Sequence, residues 1–252
     1  MTYKIWFQGA TDKVHMAPYI AKVEAHLKSI LDPEFSATFH TTTPPATTTH
    51  AITEFRIARN LIRNAVEAEK LGYDAMVITH FQDAGLAEVK SVVDIPVIGL
   101  GETTLCHSLT LGRKLGLVTI NPVFIPWHED QVIRYGMQQR VVGVRAVPAT
   151  VADFINAFAS AEGLQKLRPL WEKECRALLD AGADVIVPAG GLPMMLFGGE
   201  FEGAPVVNGV TLVAKTAELA IKLRKQGMFK VSRRSNYVKP PEKALKEFLE
   251  QG

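Results

Sequence analysis

Two similar segments, 110 residues apart, constrain the fold of this chain more than any other feature. AEKLGYDAMVITHF has a counterpart in LLDAGADVIVPAGG, where Gly182 corresponds to Gly72. Further along, DIPVIGLGETT corresponds to GAPVVNGVTLV, and Pro205 matches Pro96 at nearly the same offset. Self-similarity at a fixed spacing is the sequence signature of a repeated structural unit. We interpret the pair as two related halves with an approximate twofold axis, although buried strands can also resemble each other by chance.

Short apolar runs alternate along the chain with longer segments whose apolar residues recur at helical spacing. Continuous apolar strands separated by helices are typical of parallel sheets that are covered on both faces. The sequence therefore predicts an α/β fold of two pseudo-symmetric lobes, each with a parallel sheet flanked by helices, and an active site in the cleft between them. The predicted strands are residues 3–7, 35–39, 75–78, 96–100, 115–120 and 185–187, and the predicted helices are residues 16–31, 55–71, 103–114, 163–181 and 211–225.

The repeat also predicts where the two lobes begin and end. We assign residues 1–111 and 210–252 to the first lobe and residues 112–209 to the second. Residues 227–252 follow the last long predicted helix and are interpreted as a C-terminal appendage of the first lobe. Such an appendage often packs on a neighbouring subunit, so we expect a homo-oligomer.

Composition narrows the class of protein. The chain has 28 Lys and Arg against 26 Asp and Glu, and this balance argues against a dedicated nucleic-acid binder. No apolar run reaches the ~18 residues needed to span a bilayer, and the start MTYKIWFQGATDK lacks the pattern of a secretion signal. Two cysteines, Cys106 and Cys175, cannot make a disulfide framework, and we interpret both as small buried hydrophobes. We expect a cytoplasmic protein that binds neither nucleic acid nor membrane.

The repeat places two particular residues at equivalent positions. His80 follows its strand, and the same offset leads to Gly190, which follows the corresponding strand of the other half. Ligands of open parallel sheets bind beyond the carboxyl ends of the strands. We therefore expect an imidazole on one side of the cleft and bare backbone, in Ala189-Gly190-Gly191, on the other.

Five stretches carry a recognisable pattern: EAEKLGYDAMVITHFQDAGL, DIPVIGLGETT, RKLGLVTINP, AGADVIVPAGG and APVVNGV. Together with the chain around them, from about residue 40 to about residue 225, their order and spacing resemble the aspartate/glutamate/hydantoin racemase superfamily, and its hydantoin-racemase-like branch in particular. The resemblance implies two α/β lobes with the active site between them, an isomerase-type enzyme that acts on a small molecule, and no cofactor.

The chain departs from this family at the two positions where a typical member carries a cysteine. In such members, one thiolate removes a proton from the carbon beside a carboxylate or amide, and the other thiol returns a proton to the opposite face. The corresponding positions here are His80 and Gly190, and the two cysteines of the chain lie elsewhere. A mechanism that uses two thiols therefore does not apply to this sequence.

His80 is the candidate catalytic residue. An imidazole can give or take a proton near neutral pH, and such a step is worth roughly 10²–10⁴-fold in rate. Gly190 and Gly191 let backbone N–H groups approach an anionic ligand, or they only permit a tight turn. Because position 190 has no side chain, a single base would suit isomerisation, decarboxylation, elimination or hydrolysis better than proton exchange on two faces.

Further polar residues are expected near the cleft because they match polar positions of the family or flank His80. Gln8 ends the first strand and Thr119 follows a later one. Asp83 and Glu102 would either orient His80 or cap the adjacent helices. The predicted substrate-binding residues are Gln8, Thr43, Thr79, Phe81, Gln82, Thr119, Ala189, Gly190, Gly191 and Leu192.

The segment TTTPPATTTH, residues 41–50, is too rich in Thr and Pro to form a helix or strand. We expect it to reach toward the cleft as a loop. The hydroxyl groups of Thr43, Thr47 and Thr48, and the imidazole of His50, would bind an anionic substrate there or would simply be solvated.

A metal site is the other chemistry that these side chains suggest. It would have to be assembled from His80, Asp83, Glu102, His107 and His128. No pair of them has the close spacing that is typical of metal ligands, so we expect no metal. His128 is interpreted as lying where a helix opens beside the cleft.

Three functions remain open on the sequence alone. The first is a cofactor-independent enzyme of the isomerase or lyase type, in which His80 moves a proton next to a carbonyl of a small carboxylate, amide or hydantoin-like molecule. The second is a true amino-acid or hydantoin racemase with a second acid that is not a cysteine. The third is a small-molecule binding protein that has kept the cleft and lost catalysis.

Overall fold

The computed structural model describes residues 2–45 and 48–250, which form two sheets flanked by helices. The first sheet contains β1 (Tyr3–Gln8), β2 (Phe35–His40), β3 (Ala75–Ile78) and β4 (Val97–Gly99). Its strands run in the order β2-β1-β3-β4, and each neighbouring pair is parallel. The inner strands β1 and β3 are mostly buried, and their apolar runs are typical of parallel strands that are covered by helices on both faces.

The second sheet contains β5 (Leu115–Thr119), β6 (Val141–Ala146), β7 (Val185–Ala189), β8 (Gly199–Phe201) and β9 (Ala204–Val206). Its order is β6-β5-β7-β9-β8, and all pairs are parallel except β8 with β9. The predicted α/β class with two parallel-sheet lobes is confirmed. The antiparallel edge pair is a feature that the sequence reading did not predict.

The helices form where apolar residues recur at a spacing of three or four. On the second helix the buried side chains include Ile57, Leu61, Ala65 and Ala68, which form one stripe against the first sheet. No helix in the described part of the chain is long and apolar enough to cross a membrane. The helices are α1 (Ala17–Ile30), α2 (Ala51–Lys70), α3 (Leu86–Val92), α4 (Leu100–Ser108), α5 (Phe124–Arg134), α6 (Val151–Ala159), α7 (Ala161–Asp180), α8 (Gly191–Phe197), α9 (Gly209–Lys225) and α10 (Glu242–Glu250).

The repeated segments have the same structural role in both sheets. Asp74 accepts a hydrogen bond of 2.8 Å from the backbone N–H of Lys4, where β1 begins. Asp184 accepts bonds of 2.9 and 2.7 Å from the N–H groups of Arg113 and Lys114, just before β5. Each carboxylate thus ties the start of the repeated strand to its central neighbour, which explains why both halves keep an Asp at this position.

Helix α4 begins earlier than predicted, at Leu100 instead of Thr103, and it ends at Ser108. Gly99 and Gly101 argue against a helix start in the sequence because glycine lacks helix propensity. The carboxylate of Asp83 compensates by accepting hydrogen bonds from the N–H groups of Gly101 and Glu102. A helix cap that comes from another loop cannot be predicted from the local sequence.

The two cysteines, which were both predicted to be buried, differ in their exposure to solvent. Cys175 lies in the core on α7, as predicted. Cys106 is exposed on α4, so the prediction for it is wrong. It lies on the face of α4 that is turned away from buried Leu105 and Thr104, and helical position rather than residue type decides its exposure.

Residues after α9 pack on their own chain. The guanidinium of Arg233 donates to the carbonyl groups of Lys90 and Val93 and to the carboxylate of Asp94. Arg63 on α2 donates to the carbonyl of Leu249 on α10. The appendage is therefore fixed to helices α2 and α3, while the homo-oligomer and the lobe boundaries stay predictions.

Candidate active site

A cavity of about 450 Å³ lies at the carboxyl ends of the central strands. Residues that follow β1 and β3 form one wall, and residues that follow β5 and β7 form the other, so both sheets contribute to it. This is where ligands bind in parallel α/β sheets. The lining residues used below are Asp12, His15, Tyr19, Phe39, Thr48, Thr49, Glu54, Ile57, Thr79, His80, Phe81, Gln82, Phe124, Ala189, Gly190, Gly191 and Leu192.

His80 lies in the wall contributed by the first sheet and is paired with Glu54. Its Nε2 atom is 3.0 Å from Oε1 of Glu54, which comes from the first turn of α2. The His80 side chain is 10% exposed and the Glu54 side chain 20% exposed, so the pair is largely withdrawn from water but open to the cavity. No hydrogen bond to the other ring nitrogen is present within the described residues.

Burial disfavours charge on both members of this pair. It raises the pKa of the Glu54 carboxyl to about 7. Burial, followed by the nearby His128, lowers the pKa of His80 to about 4. The pair therefore holds one mobile proton close to neutral pH, and a site with displaced pKa values in a cavity is a candidate for proton transfer.

In the wall opposite His80, the segment Ala189–Leu192 presents main-chain atoms to the cavity. Gly190 has a φ of 153°, and its N–H donates to the carbonyl of Pro188. The N–H groups of Gly191 and Leu192 start α8 and have no backbone acceptor in the part of the chain that the structure describes. Free N–H groups at this point can donate hydrogen bonds to a negatively charged oxygen of a ligand. A Cβ atom on Gly191 would come closer than 3.0 Å to the hydroxyl oxygen of Tyr19.

Most of the predicted site residues line this cavity. The structure brings together Thr79, His80, Phe81 and Gln82 after β3 with the four residues Ala189–Leu192 after β7. In the Thr-rich loop, Thr48 and Thr49 reach the cavity, whereas Thr43 is exposed and does not. Thr47 lies outside the described residues, and His50 is exposed before α2.

Gln8 and Thr119 lie behind the walls instead of in them. Gln8 is fully buried, and its Oε1 atom accepts hydrogen bonds from the indole of Trp6 and the amide of Asn64. Its Nε2 atom donates to the carbonyl groups of Gly9 and His40, at 2.8 and 3.4 Å. All of its hydrogen-bonding capacity is used within the fold, so it supports the loop after β1 without contacting a ligand.

Thr119 belongs to a buried polar chain that joins the two lobes. Its hydroxyl lies 3.2 Å from Nε2 of His128 and 3.4 Å from the carbonyl of Ala189. Nδ1 of His128 is 3.2 Å from Oε1 of Gln131, and Nε2 of Gln131 donates to the carbonyl of Phe81 at 2.5 Å. The chain connects the backbone beside His80 with the backbone beside Gly190. Burial lowers the pKa of His128 to about 4, so its imidazole is neutral.

The two acidic residues considered as partners of His80 in the sequence, Asp83 and Glu102, make no hydrogen bond to its ring. Asp83 caps α4 and accepts a bond of 2.6 Å from the hydroxyl of Tyr135, and burial raises its pKa to about 7. Glu102 pairs with Lys90 at 2.6 Å. Of the two roles considered for these acids, Asp83 therefore has the capping role.

His128 lies inside α5 and is fully buried, rather than opening a helix beside the cleft. Among the described residues, no group of three or more His, Cys, Asp or Glu side chains is placed to hold a metal ion.

The sequence reading missed Glu54 and Tyr19. Both lie on helices that start beyond loops of irregular conformation, α2 and α1, so no spacing relates them to His80 or Gly190. The only available signal was that each falls within the first turn of a helix that follows a strand of the first sheet.

Comparisons with known sequences agree on one family. The model of the family described as Asp/Glu/Hydantoin racemase matches residues 17–217. A hydantoin racemase of Pseudomonas sp. (strain NS671) is 31% identical over 209 residues, which cover 82% of this chain and 80% of that protein. A hydantoin racemase of Rhizobium meliloti is 33% identical over 155 residues, or 60% of this chain and 62% of that protein.

Solved structures agree on the fold. The allantoin racemase from Klebsiella pneumoniae superposes with a TM-score of 0.78 at 19% identity, covering 96% of this chain and 95% of that one. The allantoin racemase from Pseudomonas fluorescens gives a TM-score of 0.75 at 20% identity, covering 95% of this chain and 98% of that one. At these identities the likeness supports the architecture of two sheets.

Proposed function

Because the chain belongs to the Asp/Glu/hydantoin racemase family, we propose that it catalyses proton transfer at the carbon beside a carbonyl of an uncharged, hydantoin-like cyclic amide. Membership makes the chain an enzyme of the isomerase type that needs no cofactor. The finer proposal concerns which group moves the proton and which substrate the cavity accepts. His80, paired with Glu54, would be the acid–base group.

The observation that carries the proposal is the contact of 3.0 Å between Nε2 of His80 and Oε1 of Glu54 at the cavity wall. When Glu54 is ionised, it accepts the Nε2–H bond and leaves the lone pair of Nδ1 available. An imidazole whose far nitrogen is held by a carboxylate is oriented and becomes a stronger base. This arrangement would remove a proton from a substrate carbon and later return it.

Removal of that proton places negative charge on the neighbouring carbonyl oxygen. The N–H groups of Gly191 and Leu192 in the opposite wall would stabilise it. Preorganised donors of this kind act where charge develops in the transition state and require no rearrangement. In this proposal, a glycine replaces the family thiol at position 190 and leaves the adjacent amides accessible.

The charges of the cavity favour an uncharged substrate over a free amino acid. No Lys or Arg is among its described lining residues, and two carboxylates, Asp12 and Glu54, are. An α-carboxylate would therefore enter without a strong cationic partner, since the exposed His15 is already paired with Asp12 at 2.9 Å. Phe39, Ile57 and other apolar side chains would accommodate an aliphatic substituent on the ring.

The substrate proposal is tested by a panel of single enantiomers. We expect the purified protein to interconvert L- and D-5-isobutylhydantoin, measured by circular dichroism against an enzyme-free control, and to leave L-aspartate and L-glutamate unchanged. In deuterated solvent, the hydantoin ring carbon should acquire deuterium, measured by NMR. Turnover of the free amino acids at a comparable rate would contradict the charge argument.

The Glu54–His80 pair predicts a particular pH profile. Below pH 7 the Glu54 carboxyl keeps its proton and donates it to Nε2, so the base is blocked. As the pH rises through about 7, Glu54 ionises, and kcat/KM should rise about tenfold per pH unit below that point and then level off.

A Glu54→Gln variant should lose this transition, because its amide oxygen accepts the Nε2–H bond at every pH. Steady-state rates of both proteins between pH 5 and 9 provide the measurement. A midpoint near 7 that survives in the variant would mean that another group controls the rate.

A further inference from the structure

Among the described residues that line the cavity, Tyr19 is the one titratable residue without a hydrogen-bonded partner. Of the other titratable groups in the described lining, Asp12 and His15 pair with each other, and Glu54 pairs with His80. The Tyr19 side chain lines the cavity, its hydroxyl makes no hydrogen bond to the described residues, and burial is the only cause of its pKa shift. A nearly buried phenol with an unused donor is uncommon, because such groups usually find a partner within the protein.

The position of this hydroxyl is defined by the second wall. A Cβ atom on Gly191 would come closer than 3.0 Å to the Tyr19 oxygen, so the hydroxyl lies directly against the backbone of Gly191. The ring is held by edge contacts with Phe39, at 6.5 Å between centroids, and with Phe158 on α6, at 5.6 Å. Only 5% of the residue is exposed, so the phenol is fixed in place.

His80 and Tyr19 thus present proton-carrying groups from different walls of one cavity. His80 follows β3 in the first sheet, whereas the Tyr19 hydroxyl lies on the backbone that follows β7 in the second. We propose that Tyr19 is the second acid–base residue of the reaction and gives a proton to the face of the substrate carbon opposite His80. The inference rests on the proposed function and specifies it as inversion at that carbon.

The proton balance of this step is complete. The C–H bond on the His80 face breaks, the proton goes to His80, and the electron pair moves into the carbonyl. The O–H bond of Tyr19 then breaks, and a new C–H bond forms on the other face as the electron pair returns. This leaves His80 protonated and Tyr19 as the phenolate, which is the form that converts the opposite enantiomer by the reverse transfers. Proton exchange with solvent restores the neutral imidazole and the phenol. Burial raises the pKa of Tyr19, so the resting group is the phenol, the form that can donate.

The test compares inversion with hydrogen exchange in a Tyr19→Phe variant. Each enantiomer of 5-isobutylhydantoin is incubated in deuterated solvent, with inversion followed by circular dichroism and deuterium uptake by NMR. We expect inversion to fall at least about 100-fold. Exchange without inversion should persist for the one enantiomer whose hydrogen faces His80, because that residue can still remove and return a proton.

The matched control is Tyr3→Phe, which removes a phenol hydroxyl at the opposite end of β1, where it bonds Lys225. It should retain inversion at the normal rate. Inversion at the normal rate in Tyr19→Phe would overturn the inference, and so would a parallel loss of inversion and exchange, which is the result expected if the hydroxyl only held the carbonyl. Normal exchange in His80→Ala would instead overturn the proposed function.

Discussion

A His80→Ala variant is expected to lose between about 100-fold and 10,000-fold in kcat, the range over which a positioned acid–base group accelerates proton transfer. The imidazole is the group in the first wall that is held by a carboxylate and open to the cavity, through its contact with Glu54. Removing it leaves the amides of the second wall in place, so substrate binding should weaken much less than turnover. Initial rates over a range of 5-isobutylhydantoin concentrations separate the two effects.

The matched control for this variant is His107→Ala. His107 lies exposed on α4 and does not line the cavity, so its removal should leave kcat and KM unchanged. Thermal unfolding followed by circular dichroism should remain cooperative for both variants, because neither imidazole fills the core. A His80→Ala enzyme with more than half of the normal kcat would remove this residue from the mechanism.

The prediction about His80 shows which parts of the site can be inferred from sequence. The offset between Gly72 and Gly182 located two equivalent strands, and the residues that follow them, His80 and Gly190, do line one cavity. This inference succeeds because the ends of parallel strands meet at one edge of a sheet. Both β3 and β7 are buried along their whole length, so each is recognisable in the sequence as a continuous apolar run.

Other parts depend on contacts between distant segments and could not be inferred. Glu54 reaches His80 from a helix that follows an irregular loop, and Tyr19 reaches Gly191 across the boundary between the two sheets. Residue type was also a poor guide for buried polar side chains. The sequence predicts that Gln8 contacts a ligand, but its side-chain amide is hydrogen-bonded to Trp6 and to the backbone.

The buried polar chain beneath the cavity fixes the backbone of both walls. It extends from Asp83 and Gln131 through His128 to Thr119 and Ala189. Each member is excluded from water, so a broken link would leave a buried donor or acceptor unsatisfied, at a cost of about 1–3 kcal/mol. The stability of the fold and the position of His80 therefore depend on the same set of hydrogen bonds.

Gly101→Ala should disrupt this buried chain of hydrogen bonds more than a methyl group added at any other glycine. A Cβ atom at this position would come closer than 3.0 Å to the carbonyl oxygen of Phe81, to Nε2 of Gln131 and to Oδ2 of Asp83. Overpacking and the loss of one or more of these bonds should lower the free energy of unfolding by about 3–5 kcal/mol. This corresponds to a fall in Tm on the order of 10 °C for a chain of this size, and urea unfolding provides the measurement.

A second glycine offers a control with the same chemical change and no clash. At Gly143, on β6, an added Cβ meets only Cδ2 of Leu178, at 3.7 Å, which is ordinary van der Waals contact. Gly143→Ala should change the free energy of unfolding by less than about 1 kcal/mol. If the two variants unfolded at the same urea concentration, the close approach of α4 to the loop of His80 would not hold the walls together. If Gly101→Ala alone is destabilised, its remaining folded fraction should also have a lower kcat, because the Phe81 carbonyl that it displaces adjoins the catalytic imidazole.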